Sequence, residues 1–174
     1  MLASGRYVGM ASWFGTMFEY CMPHLLLPLP EGSLLHESLA FCVGEQIRYG
    51  RRLGLPWGIS ESAIPEADSD GHYGYRANGV PTLALCTAMP KDYVAAPYAV
   101  FLALGMVPHQ AVEMIRKLHH MGLGGKYGLY EAFAFENGIV RPAKSWMAHH
   151  MGMSLTAIWR MRFRAQQCPS SGSR

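Results

Sequence analysis

The chain has 174 residues, half of them hydrophobic and only 16% charged. That is enough for one domain with a real core, and too apolar for a disordered segment. The net charge of +3 sits in the tail: without Arg160, Arg162, Arg164 and Arg174 the chain holds 11 basic against 12 acidic residues, which argues against a nucleic-acid-binding face.

Four helices are predicted in chain order. Over Ser33–Leu53, Leu35, Leu39, Val43 and Ile47 recur every fourth residue, with Ser33 as the starting cap and Gly54 and Pro56 as the stop. Pro97–Met106 reads as a nearly all-apolar helix with proline in its first turn. Pro108–Met121 follows, ended by Gly122, and Ser145 to about Met161 carries Met147, Met151, Leu155 and Ile158 on one stripe. The segments between them, 15–30, 55–81 and 122–142, are rich in glycine, aromatics and isolated acids, and read as long functional loops.

Cys21, Cys42, Cys86 and Cys168 show no paired spacing, so free thiols in a reducing compartment are expected. No leader pattern is visible at the N-terminus. The apolar stretch 93–107 contains Pro97 and is short for a bilayer span. A cytoplasmic location is the expectation for this segment.

The candidate chemistry lies in the loops. Glu19 in GTMFEYCMP, Glu61 in PWGISES and Glu131 in KYGLYEAF each sit beside aromatics and near glycine, with few charges close by. Apolar surroundings raise a carboxyl pKa, and one raised and one ionised carboxyl facing each other are the equipment of glycoside cleavage. Trp13, Trp57, Tyr73, Tyr75, Tyr127 and Tyr130 could stack on sugar rings. The plainer reading is that these acids cap helices or pair with Arg76, Lys126 or Arg141. No metal site is expected, because His149 and His150, like His119 and His120, are adjacent and point about 100° apart on a helix. Neither a cofactor motif nor a nucleophilic-serine motif is present.

Several motifs occur in one order: SWFGTMFEYCMP, EQIRYGRRLGLPWGISES, YGYRANGVP, APYA, YGLYEAF and KSWMAHHMGMSL. Together they resemble the glycoamylase-like domain of bacterial cyclic β-1,2-glucan synthases, which is related to endo-β-1,2-glucanases. The resemblance spans about residues 10–158. It implies an all-α fold, an (α/α)6 barrel of which residues 1–160 would form roughly half, followed by an unstructured tail over 161–174. It also implies transglycosylation (ring closure) or hydrolysis of β-1,2-linked glucan by a glutamate pair. By motif, Glu61 and Glu131 are the expected catalytic residues. Glu19, Trp57, Arg76, Tyr130, His149 and His150 are the expected substrate contacts, with no cofactor and no metal. The expected partners are β-1,2-glucan and the remainder of a larger synthase polypeptide, and full-length synthases of this kind are inner-membrane proteins. Two positions depart from the family pattern: Met151 replaces a usual Gln, and Asn78 stands where an aromatic is common. The alternative expectation is a truncated, inactive glucan-binding remnant.

Overall fold

The computed structural model describes residues 2–4, 7–88, 90 and 92–167. The chain opens with an antiparallel pair, β1 (Leu2–Ser4) and β2 (Tyr7–Gly9), and β2 lies on the second helix. Gly9 permits this approach, since a Cβ there would stand 2.7 Å from Cδ1 of Phe41.

Helix α1 (Met17–Leu26) starts at a capping box. The Thr16 hydroxyl accepts from the Glu19 N–H, and the Glu19 carboxylate accepts from the Thr16 N–H. Helix α2 (Leu34–Leu53) follows. The Ser33 hydroxyl caps it by accepting from the His36 N–H, and Gly54 ends it in the left-handed region at φ 69°.

Next comes the hairpin of β3 (Ser62–Ala67) and β4 (Tyr73–Arg76). Its turn is tied by Asp68, whose Oδ1 accepts from the N–H groups of Asp70 and His72. Strand β5 (Val94–Ala95) leads directly into α3 (Pro97–Leu102), with proline in the first turn. A 3-10 turn over Ala103–Gly105 connects α3 to α4 (Pro108–Leu118). A wide turn over His119–Leu123 closes α4, with Gly122 at φ 79°.

The small hairpin β6 (Gly124–Gly125) and β7 (Gly128–Leu129) precedes a longer one, β8 (Ala132–Glu136) and β9 (Ile139–Ala143). Asn137 and Gly138, at φ 51° and 79°, form the tight turn of the longer hairpin. β8 is central in a three-stranded antiparallel sheet of order β5-β8-β9. Pro142 is tolerated because β9 is an edge strand. Helix α5 (Ala148–Gln167) completes the described chain.

Helices α1, α2, α3 and α5 pack around one core that includes Met17, Leu39, Phe41, Val100, Leu102 and Phe133. The β3–β4 hairpin sits against β8 and β9 at one side of this core. That arrangement corrects the all-α, half-barrel expectation. Helix makes up 48% and strand 20% of the structure, an ordinary mixed composition, and the strands build antiparallel sheets. The physical reason lies in the segments 55–81 and 122–142. Their glycines and turn residues separate paired strands rather than punctuating loops.

Helix α5 runs through Gln167, so the boundary expected at residue 160 falls inside it. Cys168 and the rest of the expected tail, to residue 174, lie outside the described residues. Cys21, Cys42 and Cys86 are free thiols, and burial pushes the Cys21 thiol up to about 12. Among the described residues no helix is long and apolar enough to cross a membrane.

Candidate active site

The segment before Glu61 is irregular yet buried from Pro56 to Ser60. It is held by polar groups of three helices. The Gln46 side chain, from α2, clamps it twice: Nε2 donates to the Ile59 carbonyl (2.8 Å), and Oε1 accepts from the Ile59 N–H (2.9 Å). Met17, opening α1, donates its N–H to the same Ile59 carbonyl, and Ala96, just before α3, donates to the Gly58 carbonyl (2.9 Å). Gly58 sits at φ 115°, where a Cβ would stand 2.8 Å from Cγ2 of Val100. A side chain there meets both backbone strain and α3.

The chain leaves this clamp extended, and alternate residues face opposite ways. Ser60 and Ser62 are fully buried, while Glu61 between them is half-buried and faces outward. Ser60 Oγ accepts from the Phe18 N–H (3.0 Å). The Asn78 amide, 3.4 Å from both the Ser60 carbonyl and Ser62 Oγ, holds the other side. Asn78 therefore does in this chain a backbone-holding task that an aromatic could not.

Glu131 occupies the matching place one residue before β8, as Glu61 stands one residue before β3. Because β3 lies against β8, the two glutamates enter one region from neighbouring strands. The Glu131 N–H donates to the Ser145 carbonyl (3.0 Å), which ties it to the chain entering α5. Its carboxylate meets the His150 ring, with Oε1 2.6 Å from Nδ1, and both side chains are almost wholly buried. Nε2 of His150 is buried with no hydrogen-bond partner among the described residues. An orphaned acceptor is tolerated better than an orphaned N–H, so a ring proton is assigned to Nδ1, donating to Glu131.

The electrostatics tie these groups together. The Glu61 carboxyl is raised above 4.5, first by partial burial and then by the negative charge of Glu19; positive charge on His150, when present, offsets part of this. Burial, with Glu61 and Glu131 beside it, pushes the Tyr75 phenol up to about 12. Tyr75 stays a neutral hydroxyl at pH 7. Partial desolvation, and then His150, lower the exposed His149 below 6.5, while Glu131 opposes the shift. His149 is thus neutral at pH 7, able to give or take a hydrogen bond.

The expected site residues divide by place. Glu61, Glu131, His149 and His150 are brought together. Of these, Glu131 and His150 line a cavity of about 130 Å³, together with Tyr98, Phe101, Tyr130, Trp146 and Met151. Glu19 faces the same region electrostatically, but its carboxylate is occupied by the Ser12 hydroxyl and the N–H groups of Phe14 and Thr16. Arg76 is ion-paired with Asp92, and its Nε donates to Asn78 Oδ1 (2.8 Å). Trp57, expected as a sugar contact, lies in the core instead, 5% exposed. It stands where Gly50 of α2 lets the chain pass closely. Tyr98 and Trp146 were not singled out from sequence, although both fall inside the quoted motifs APYA and KSWMAHHMGMSL. Among the described residues no group of three or more His, Cys, Asp or Glu side chains is placed to hold a metal.

A family model described as "Putative glucoamylase" matches residues 4–162. The chain belongs to the glycoamylase family. Membership supports a carbohydrate-related function for this glycoamylase chain. It is 39% identical over 168 residues to the cyclic beta-(1,2)-glucan synthase NdvB of Rhizobium meliloti (strain 1021). That alignment covers 93% of the glycoamylase chain and 6% of the synthase, so the chain spans a small part of this relative's length.

Proposed function

We propose that this glycoamylase chain is a carbohydrate-active segment that acts on β-1,2-linked glucan through Glu61 and Glu131, as part of a larger synthase-like polypeptide. The observation that carries the reading is the pair's asymmetry. Glu61 is a half-exposed carboxyl with a raised pKa, the property of a general acid, whereas Glu131 is fixed as an acceptor by His150. Glu61 protonates the leaving glycosidic oxygen, and the Glu131 carboxylate works opposite it as base or nucleophile. Tyr75, Tyr130, His149 and Trp146 supply hydroxyl, ring and N–H contacts to the sugar. The identity to a β-1,2-glucan synthase supports the choice of linkage.

The test places the 174-residue chain in the Rhizobium meliloti synthase, in place of the segment it matches, and supplies linear β-1,2-glucan. Turnover that disappears in both Glu61→Gln and Glu131→Gln supports the reading. A graft that binds glucan without converting it overturns the catalytic half and leaves a binding segment. Chromatography of the products separates ring closure from hydrolysis.

The pH profile follows from the sign of the Glu61 shift. Turnover needs protonated Glu61, so it holds at low pH and declines as pH rises through the raised Glu61 value. Glu19→Gln keeps the helix cap but removes the neighbouring negative charge. The alkaline limb should therefore move to lower pH in a kcat profile, and an unmoved limb would exclude Glu61 as the acid. Stability has the same sign. The contribution of protonated Glu61 is fully present below 4.5 and is lost as pH rises through the raised value, so Glu61→Gln removes that slope.

A further inference from the structure

Tyr98, in the first turn of α3, contacts both halves of the pair. Its ring lies flat on the His150 imidazole, with centroids 3.6 Å apart and planes at 9°. Its hydroxyl is 3.0 Å from the Glu61 carbonyl oxygen and 2.9 Å from Ser60 Oγ. A carbonyl can only accept, so the single phenolic proton goes to Glu61. Ser60 must then donate its own proton to Tyr98, while its Oγ accepts from Phe18 N–H. The direction of every bond in this chain is thereby fixed. It runs from the start of α1, through Ser60 and Tyr98, to the backbone of Glu61. The face of the same phenol braces the imidazole that holds the Glu131 carboxylate. Tyr98 is 5% exposed, and burial keeps its hydroxyl protonated well beyond neutral pH.

We infer that Tyr98 is the positioning residue that sets the two glutamates relative to each other, its hydroxyl fixing the Glu61 backbone and its ring fixing the His150–Glu131 pair. This rests on the reading of Glu61 and Glu131 as the reacting carboxylates. The groups facing Glu61 from the packed elements are Glu19 of α1, Tyr75 of β4, Tyr98 of α3 and His150 of α5, with Glu131 acting on the same two phenols. Among the described residues, none of the others holds its backbone through a hydrogen bond.

Two variants separate the two functions of the side chain. Tyr98→Phe removes the hydroxyl and keeps the ring, whereas Tyr98→Leu removes both. In the 174-residue chain, the carboxyl carbon of Glu61 and the Nδ1 proton of His150 are followed by NMR across a pH titration. In Tyr98→Phe, the Glu61 midpoint falls by about half a unit or more as its loop relaxes toward water, and the His150 proton keeps its position. In Tyr98→Leu the His150 proton also moves or is lost to exchange. In the grafted synthase, Tyr98→Phe lowers kcat about tenfold with KM within about twofold, since geometry and not binding is disturbed. A Glu61 midpoint unchanged in Tyr98→Phe, or a His150 proton unchanged in Tyr98→Leu, overturns the inference. If the Gln variants of Glu61 and Glu131 are inactive in that case, the carboxylate reading stands without it. Full activity in those Gln variants overturns the carboxylate reading itself, and the positioning role with it, whatever the NMR shows.

Discussion

Glu131→Gln should lower turnover of linear β-1,2-glucan by the grafted synthase about 10²–10⁴-fold, the usual worth of a positioned acid or base, while the protein still folds. The two outcomes separate because the substitution leaves the hydrogen bond that the fold uses. Gln presents an amide oxygen in place of Oε1, and Nδ1–H of His150 still has an acceptor 2.6 Å away in the parent geometry. What disappears is the negative charge. Glu131→Ala removes the acceptor as well and leaves a buried imidazole N–H without a partner, at a further cost of about 1–3 kcal/mol in stability. Thermal unfolding of the two variants, measured beside kcat, tells chemistry from folding. Turnover of the Gln variant within twofold of the parent would remove Glu131 from the mechanism.

The largest effect on folding is expected at Gln46. Replacing it with Leu fills the same space but strands the N–H groups of Ile59 and Gly58, both of which donate to Oε1. The Ile59 carbonyl keeps only Met17 as donor. Two orphaned buried donors cost about 2–5 kcal/mol together. At an m-value of about 2 kcal/mol/M, the urea midpoint falls by about 1–2.5 M. Gln110, exposed on α4, is the control, and its change to Leu should stay within about 0.5 kcal/mol. Equal midpoints for the two variants would mean that the clamp adds nothing. The cost at Gln46 also reaches the site, because the clamp ends two residues before Glu61.

Helix α2 could be read from sequence almost to the residue. Its spacing, its serine cap and its left-handed glycine stop all act locally, so local sequence records them. Helix α1 lies inside the segment 15–30, whose glycine, aromatics and isolated acid read as loop. Yet Thr16 and Glu19 carry the capping-box spacing that the structure uses. The strands were harder to see. In β8, Ala132 to Glu136, small and large apolar residues alternate, so neither face declares itself polar. The pair Asn137-Gly138 was the available hairpin signal there. In β3, Pro65 sits in a register irregularity and hides an otherwise extended run.

The site divides in the same way. Glu61 and Glu131 stood out because each is an acid in apolar context. Glu19 stood out for the same reason, and there the plainer capping reading describes what its carboxylate touches. Partners far apart in sequence left no trace in it. His150 is 19 residues from Glu131, and Tyr98 is 37 from Glu61. Nothing local says that a phenol in APYA faces both. Trp57 shows the converse error, since an aromatic beside an acid in sequence can turn away from it in space.

The run Pro56–Ser60 has no regular structure, but every residue in it is buried and its backbone is bonded to three helices. Loops are ordinarily where related sequences drift, gain insertions and lose them. This one is a fixed seam. Among related chains, variation should collect on the exposed faces of α4 and at the Asp68–Gly71 turn. An insertion between Trp57 and Ser60 would push Glu61 away from Glu131, and would cost the pair its geometry before it cost the helices theirs.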